Sequence, residues 1–190
     1  MEWILASASP RRKELLGELI ETFEILPAKG EEVVYGNPTP AELVKILATQ
    51  KAEEVANLPQ ATGKAVLGAD TVVALRGEVL GKPKDEVEAY EMLSALSGQV
   101  HEVYTGVCII YPKEGGRYAL KDVACTKVRF RELSKEEIKR YVATGSPMDK
   151  AGAYGIQDSG FVDSIDGSFS NVVGLPLELC KEIITSVSCP

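Results

Sequence analysis

The strongest constraint in this 190-residue sequence is the apolar run Ala65-Val66-Leu67, which leads into Gly68-Ala69-Asp70-Thr71. An apolar run followed by small residues predicts a buried strand that ends at one edge of a sheet. Ligand sites in open α/β sheets form at such an edge. A carboxylate there needs solvent or a cationic partner, because an isolated buried charge is costly. Asp70 is therefore a candidate site residue, although on this stretch alone the simpler interpretation is that Asp70 and Thr71 satisfy backbone groups at a strand end.

The N-terminal segment predicts an anion-binding feature. A short strand over Trp3–Ala6 is followed by two serines, a proline and two arginines, and Ser9 with Pro10 fits the start of a helix. The free backbone N–H groups and positive end of such a helix attract anions. The polar side chains beside them are those of Ser7, Ser9, Arg11 and Arg12. The alternative is an ordinary capped helix whose arginines are solvated.

The remaining pattern predicts an α/β fold with a mixed sheet. Strands are expected over 23–26, 72–75, 78–80, 103–111, 118–130 and 161–165, with hairpin turns at Arg76-Gly77 and Glu114-Gly115-Gly116. Helices are expected over 40–56, from Asp85 to about Leu96, from Ser134 to about Thr144, and from Pro176 to about Ser186. Residues 149–155 read as a loop with functional potential. Long hairpins between helices favour an elongated, mixed, twisted sheet flanked by helices, with two lobes around a central cleft.

The size and charge of the chain limit the function classes. Residues 1–190 are expected to form a single domain with a sizeable core. A formal net charge of −7 argues against a broad nucleic-acid-binding surface but allows a small phosphate-bearing ligand, which needs only local cations. We expect no membrane contact, because no apolar run approaches the ~20 residues of a span. The short apolar start followed by Arg11-Arg12-Lys13 does not fit a signal peptide, so we expect a cytoplasmic protein.

Neither the cysteines nor the histidine indicates a specific chemistry. Cys108, Cys125, Cys180 and Cys189 show no C-x-x-C spacing, so we expect reduced thiols rather than a zinc site or a disulfide framework. The single histidine, His101, lies between apolar residues, and a satisfied structural role is expected for it. The chain also has no P-loop and no G-x-G-x-x-G motif.

Taken together, the segments resemble the Maf family, the septum-formation-inhibitor-like nucleoside triphosphate pyrophosphatases. The matching segments occur in the family's order from Ser7 to Pro176: Ser7-Ala8-Ser9-Pro10-Arg11-Arg12, Glu31-Glu32, Lys51-Ala52, Gly68-Ala69-Asp70-Thr71, Gly81-Lys82-Pro83, Leu96-Ser97-Gly98-Gln99 with His101 and Thr105, the run from Asp149 to Gln157, and Gly174-Leu175-Pro176. Each is weak alone, but the ordered set is highly specific. One departure is that Asp163 and Ser164 stand where basic residues are expected, so we assign no substrate contact there.

The resemblance implies a Maf or ITPase-like fold and a metal-dependent hydrolase. The implied reaction cleaves a nucleoside triphosphate between its α and β phosphates to give the monophosphate and pyrophosphate. Arg12, Thr71 and Gln157 match the positions that mark the family branch acting on dTTP and UTP. The resemblance further implies a house-cleaning role on non-standard nucleotides and a link to restraint of cell division.

The residue chemistry is consistent with that implication. Phosphoryl transfer depends on positioning and charge stabilisation, for which the candidates are Ser7, Ser9, Arg11, Arg12, Lys51 and Lys82. Mg²⁺ or Mn²⁺ prefers oxygen ligands, which Glu32 and Asp70 could supply. The family assignment makes Asp70 the proton acceptor for the attacking water, yet an ordinary aspartate is a weak base at neutral pH. The sequence therefore leaves Asp70 open as a base or as a metal ligand.

Two rival functions stay open at this stage. One keeps the reaction but acts on guanine-type nucleotides, against which Thr71 and Gln157 argue. The other is a nucleotide-binding regulator of cell division without catalysis, which would keep the cations but would not require Asp70. The number of subunits cannot be read from the sequence, and a homodimer is expected only because two-fold dimers are the commonest assemblies.

Overall fold

The computed structural model describes residues 1–188, so Cys189 lies outside the described residues. Its strands are β1 (Trp3–Leu5), β2 (Glu24–Ile25), β3 (Ala65–Leu75), β4 (Glu78–Leu80), β5 (Val100–Lys113), β6 (Gly116–Phe130) and β7 (Val162–Asp166). Its helices are α1 (Pro10–Gly17), α2 (Pro40–Ala56), α3 (Glu86–Leu96), α4 (Lys135–Ala143), α5 (Phe169–Val173) and α6 (Leu177–Ser188). Short 3-10 turns occupy Pro59–Ala61, Ser146–Asp149 and Ala151–Ala153.

The strands form one mixed sheet, as predicted. Its order is β2-β1-β3-β5-β6-β7, and β4 pairs with β3. Strand β1 runs parallel to β2 and β3, whereas every other pairing is antiparallel. The long β5–β6 hairpin supplies most of the antiparallel part. The predicted α/β fold with an elongated mixed sheet is confirmed.

The helix starts follow their sequence signals. Thr39 and Ser134 form capping boxes with Glu42 and Glu137, and Ser9 accepts a hydrogen bond from the backbone N–H of Arg12. These caps satisfy backbone donors that would otherwise lack partners. The sequence prediction did not include the five-residue helix α5, whose cap is Ser168.

The predicted end of the central strand is wrong. Strand β3 continues without a break from Ala65 to Leu75, so Asp70 and Thr71 lie in its middle. Gly68 serves close packing rather than a turn, because a Cβ atom there would lie 2.5 Å from the carbonyl oxygen of Ala48 in α2. The pairs Asp70↔Gly106 and Thr71↔Thr105 continue the ladder with β5 on one side.

The other side of β3 has a gap that still places Asp70 at an opening of the sheet. Strand β1 pairs with β3 only as far as Leu5↔Leu67, and β4 begins its pairing at Val73↔Leu80. Within residues 1–188, no strand pairs with β3 between these two registers on that side. The chain leaving β1 enters the gap with Ala6, whose N–H donates to the carbonyl oxygen of Leu67.

The apolar core divides into parts on either side of this gap. Leu67, Ala69 and Val107 pack against α1 and α6, and Val66 packs against α2 on the opposite face of the sheet. Further along the same strand, Val73 belongs to a separate core formed with α3, α4 and Phe130 of β6. Two lobes therefore share β3 and β5, and the polar residues Asp70 and Thr71 lie between them.

Two further features concern the cysteines and the helices of the described residues. Cys108 and Cys180 are buried, Cys125 is exposed, and all three are free thiols. Within residues 1–188, the helices are too short or too polar to cross a membrane.

The packing of α2 on the sheet predicts that any side chain at Gly106 destabilises the protein. A Cβ atom at this residue would lie 2.3 Å from the carbonyl oxygen of Val44, which is backbone and cannot move aside cheaply. We expect Gly106→Ala to lower the free energy of unfolding by roughly 1 to 3 kcal/mol, measured by urea denaturation. Gly17→Ala, at a helix end with nothing within 4 Å, is the control and should leave stability unchanged or slightly raised. Equal stabilities of the two variants would contradict the packing argument.

Candidate active site

A cleft of about 800 Å³ opens between the two lobes at the gap beside β3. The structure brings nearly all the predicted site residues to its walls: Ser9, Arg11, Arg12, Glu32, Lys51, Asp70, Thr71, Lys82 and Gln157. Ser7 lines an adjoining recess of about 390 Å³, together with Arg11, Lys51 and Lys82. The structure therefore brings these distant segments together in one cleft, whereas their chemical roles stay predictions.

The charge of this cleft differs from that of the whole chain. Its five cationic side chains are Arg11, Arg12, Lys51, Lys82 and Lys150, and its four acidic ones are Glu32, Asp70, Asp149 and Asp158. The walls thus carry a formal charge of +1 on a chain of −7. Cations gathered in a cleft raise the local concentration of anionic ligands.

The alternation of β3 explains how Asp70 meets a lysine. Val66, Gly68 and Asp70 share the face of β3 that α2 covers, and the two glycines Gly68 and Gly106 let the helix lie close to the sheet. Lys51 of α2 consequently reaches Asp70, and its Nζ forms an ion pair with Asp70 Oδ1.

A second carboxylate completes this cluster. Glu32, in the loop before α2, places Oε1 2.9 Å from Lys51 Nζ. Asp70 is largely buried, with 13% of its side chain exposed, whereas 51% of the Glu32 side chain is exposed. One ammonium group therefore balances two carboxylates that would otherwise repel each other.

Arg12 lies at the opposite face of β3 and is held by neutral oxygens. Its Nε donates to the carbonyl oxygen of Gly174 at 2.9 Å, Nη2 donates to Thr71 Oγ1 at 3.1 Å, and Nη1 donates to Ser7 Oγ at 3.4 Å. Desolvation lowers the pKa of Arg12, and the charge of Asp70 partly opposes that shift. Of the five guanidinium N–H groups, two have no protein acceptor within residues 1–188. A half-buried cation with free donors favours an anionic ligand.

Thr71 connects Arg12 to the interior of the sheet. Its hydroxyl group lies 2.9 Å from Thr105 Oγ1, and Thr105 donates to the carbonyl oxygen of Asn171. This chain of hydrogen bonds fixes the rotamer of Thr71 beside Arg12. A small change at either residue will be felt by the other.

The loop before α1 uses its serines for local structure. Ser7 Oγ accepts from the backbone N–H of Ser9, and Ser9 Oγ accepts from that of Arg12. Lys82 is exposed, and among the described residues it forms no ion pair. Gln157 is also exposed and has no hydrogen-bond partner in the described part of the chain. Lys82 and Gln157 are thus available to a ligand.

The structure adds to the cleft three residues that had no predicted role: Asp149, Lys150 and Tyr154. Lys150 Nζ lies 3.0 Å from Asp149 Oδ1 and donates to the carbonyl oxygen of Ser146 at 2.6 Å. Ala153 in the same segment has a φ of 63°, a left-handed conformation that is rare outside glycine. The charged pair before a run of small residues was the available signal for this segment.

Two carboxylates of the cleft, Glu32 and Asp70, lie near enough to each other to share a divalent cation. Glu32 and Asp70 converge on one point, which Lys51 Nζ occupies. Residues 1–188 contain no group of three or more His, Cys, Asp or Glu side chains that could hold a metal ion. Mg²⁺ is commonly bound by one or two carboxylates with substrate phosphates and water. The donor set therefore fits a cation that is completed by its ligand, not a preformed protein cage.

His101 takes a structural position, as expected, but it is not fully satisfied, because its buried Nδ1 has no hydrogen-bond partner within residues 1–188. It is buried between Phe130 and Tyr154 in edge-to-face contacts, and its Nε2 lies 2.8 Å from the hydroxyl group of Tyr154. Because Tyr154 lines the cleft, His101 supports a wall of the site from behind.

The fold and the site together define an α/β protein with a cationic, carboxylate-containing cleft suited to a phosphate ligand. The model of the Maf-like proteins matches residues 2–187 of the chain. The chain belongs to the Maf family.

Two named relatives agree with this placement, and one solved structure shares the fold. A protein of Thermococcus gammatolerans named dTTP/UTP pyrophosphatase is 52% identical over 93% of this chain and 91% of its own length. A protein of the same name from Anaeromyxobacter sp. is 49% identical over 98% of this chain and 90% of its own length. The structure of a HAM1 protein from Coxiella burnetii shares the fold, with a TM-score of 0.55 at 17% identity over 98% of this chain and 99% of that one.

The buried histidine predicts a dependence of stability on pH. Desolvation lowers the pKa of His101 from 6.5 to about 4 in the folded protein. Between these values the unfolded chain binds a proton that the folded protein does not, so stability falls as the pH falls, by up to about 3 kcal/mol in all. We expect His101→Gln to remove this contribution and give a flatter dependence of the free energy of unfolding between about pH 4.5 and 7. Parallel curves for the two proteins would show that His101 is protonated equally in both states.

Proposed function

We propose that this protein hydrolyses dTTP and UTP between the α and β phosphates, releasing the nucleoside monophosphate and pyrophosphate. The observation that carries the proposal is the Glu32–Lys51–Asp70 cluster in a cationic cleft, in a chain about half identical to proteins named dTTP/UTP pyrophosphatase. A binding protein has no need of two carboxylates among the cations that would hold a phosphate ligand. Hydrolysis does need them, because water must be activated there.

In the proposed step, Asp70 receives a proton from the attacking water. The water oxygen bonds to the α phosphorus while the bond from that phosphorus to the α–β bridging oxygen breaks. Pyrophosphate leaves with the electron pair of the broken bond. Lys51 holds Asp70 in place before the reaction. Arg11, Arg12 and Lys82 stabilise the charge on the phosphates, the arginines by bidentate hydrogen bonds and the lysine as a point charge.

Glu32 and Asp70 would also hold a divalent cation, Mg²⁺ or Mn²⁺. When bound, such a cation supplies neutralisation of phosphate charge. The contacts of Lys51 Nζ with both carboxylates support this assignment, because they show that a positive charge is favoured at the point where the carboxylates meet.

Thr71 and Gln157 are proposed to select the base. Both carry hydrogen-bonding groups that can pair with the edge of a pyrimidine, and Arg12 fixes Thr71 through its Nη2 hydrogen bond. The apolar residues Val34, Leu43 and Leu47 also line the cleft and offer a surface for a ring.

Four wider attributes are carried forward as proposals from the resemblance and from general expectation. These are a house-cleaning role on modified nucleotides, a link to arrest of cell division, a cytoplasmic location and a two-fold dimer. Of these, the geometry of the cleft supports only the nucleotide binding that a house-cleaning role requires.

Product analysis tests the reaction. After incubation with UTP, dTTP, CTP or GTP and Mg²⁺ or Mn²⁺, we expect monophosphate and pyrophosphate from UTP and dTTP. Asp70→Asn should lower turnover by about 10²-fold or more, because the general base is lost. Asp163→Asn is the matched control, since Asp163 is exposed, lies outside the cleft and loses the same charge.

Each other outcome of this experiment has a definite meaning. Diphosphate and phosphate as products would mean that the wrong bond was assigned. Preference for a guanine nucleotide such as 7-methyl-GTP would move the protein to the other branch of the family. Binding without any turnover, unaffected by Asp70→Asn, would favour the regulator of cell division.

Metal removal tests the role of Glu32. We expect a chelator to abolish turnover and added Mg²⁺ or Mn²⁺ to restore it. Glu32→Gln should raise the metal concentration needed for half-maximal turnover by about tenfold or more, because one of two carboxylate ligands is lost. The neighbouring Glu31→Gln makes the same charge change outside the cleft and should not. Full activity in the presence of the chelator would refute the metal assignment.

A further inference from the structure

Asp149 connects the two sides of the cleft. It ends the 3-10 turn Ser146–Asp149, and its Oδ2 lies 3.2 Å from Nη1 of Arg11 at the start of α1. Its other oxygen, Oδ1, lies 3.0 Å from Nζ of Lys150. The carboxylate is thus divided between two cations of the site, and neither contact is explained by the proposed hydrolysis.

Asp149 is the most exposed of the paired carboxylates that line the cleft. The side chain of Asp149 is 64% exposed, against 13% for Asp70, and it lines both the main cleft and the N-terminal recess. An exposed ion pair contributes little to stability, since solvent screens it. Arg11 can therefore exchange this partner for a phosphate group at little cost in free energy. A phosphate group offers more acceptor oxygens in a geometry that suits a guanidinium group.

The ionisation of Asp149 is consistent with such an exchange. Partial burial raises its pKa, but the hydrogen bonds and charges of Lys150 and Arg11 outweigh that effect and lower it. The group is accordingly an anion at neutral pH, as a competitor of phosphate must be.

We propose that Asp149 is an internal competitor for the polyphosphate, holding Arg11 in the free protein and yielding it when a phosphate group binds. This inference rests on the proposed function, in which Arg11 is a phosphate ligand. Asp149 then acts through Arg11 as a positioning residue, not as a catalytic residue. It weakens the binding of every polyphosphate, most for the most highly charged, and so speeds the release of pyrophosphate.

Two consequences distinguish this role from simple structural support. Removing the carboxylate changes the formal charge of the cleft walls from +1 to +2, so anion binding should strengthen rather than weaken. The strengthening should also depend on Arg11, because that residue is the one released. A structural role of Asp149 would instead weaken binding when the residue is replaced.

The experiment measures the dissociation constant of inorganic pyrophosphate by titration calorimetry at low ionic strength, where screening is weakest. We expect Asp149→Asn to lower this constant by about two- to fivefold, the range of an exposed ion pair. Asp149→Glu, which keeps the charge, should stay near the wild-type value. Asp163→Asn removes the same charge from an exposed residue outside the cleft and should have no effect.

A double-mutant cycle with Arg11→Gln completes the test. If Asp149 acts through Arg11, the gain from Asp149→Asn is clearly smaller in the Arg11→Gln background, where only the change in formal charge contributes. With UTP as substrate, Asp149→Asn should lower KM, strengthen product inhibition by pyrophosphate and leave kcat equal or lower. An unchanged or weaker affinity for pyrophosphate, or an equal gain in both backgrounds, overturns the inference.

The outcomes also separate this inference from the proposed function. If the wild-type protein turns over UTP but Asp149→Asn binds pyrophosphate no more tightly, only the role of Asp149 is wrong. If the wild-type protein binds neither pyrophosphate nor UTP, the proposed function fails and the role of Asp149 fails with it.

Discussion

The close contact between α2 and the central sheet is the constraint on which the site depends. Gly68 and Gly106 leave space for the backbone of α2, which lies where their side chains would otherwise stand. This contact brings Lys51 onto Asp70 and leaves the ammonium group within reach of Glu32. Dense packing of this kind admits no larger residue without a shift of the helix. The ion pairs of the site therefore depend on glycine at both positions.

The division of the core explains why the cleft lies where it does. Apolar side chains cover both ends of β3, but its middle carries Asp70 and Thr71 on opposite faces. Asp70 meets α2 and Thr71 meets Arg12 of α1, so a single dipeptide contributes to two different walls. The gap between β1 and β4 opens this polar segment to solvent. Strand β3 therefore connects the two lobes and also presents Asp70 and Thr71 to the cleft.

Most of the fold could be predicted from local signals in the sequence. Capping residues such as Thr39, together with glycine-containing turns and long β-rich runs, determined the helix starts and hairpins within a few residues. The strand end placed at Gly68 was wrong because a glycine that permits close packing looks the same in sequence as one that permits a turn. Only the position of α2, a contact between distant segments, distinguishes the two.

For the site, the sequence predicted which residues take part but not the contacts between them. The resemblance selected Arg12, Lys51 and Asp70, and the structure brings them together. It could not show that Arg12 is held by neutral oxygens or that Asp149 bridges to Arg11, because both depend on long-range geometry. Asp149 went unassigned because its partner Arg11 lies 138 residues away in the sequence.

Strands β3 and β5 run through both lobes, and this continuity has a mechanical consequence. Any change in the angle between the lobes must bend or twist these two strands, whose nine paired positions extend from Val66↔Ile110 to Ala74↔Glu102. Asp70 and Thr71 lie near the middle of that ladder, close to the pivot, and would move least. Arg11 and Asp149 lie off the ladder on opposite sides of the cleft, so such a change would alter the distance between them. A change in the angle between the lobes would therefore leave Asp70 nearly fixed while it opens or closes the ion pair between Arg11 and Asp149.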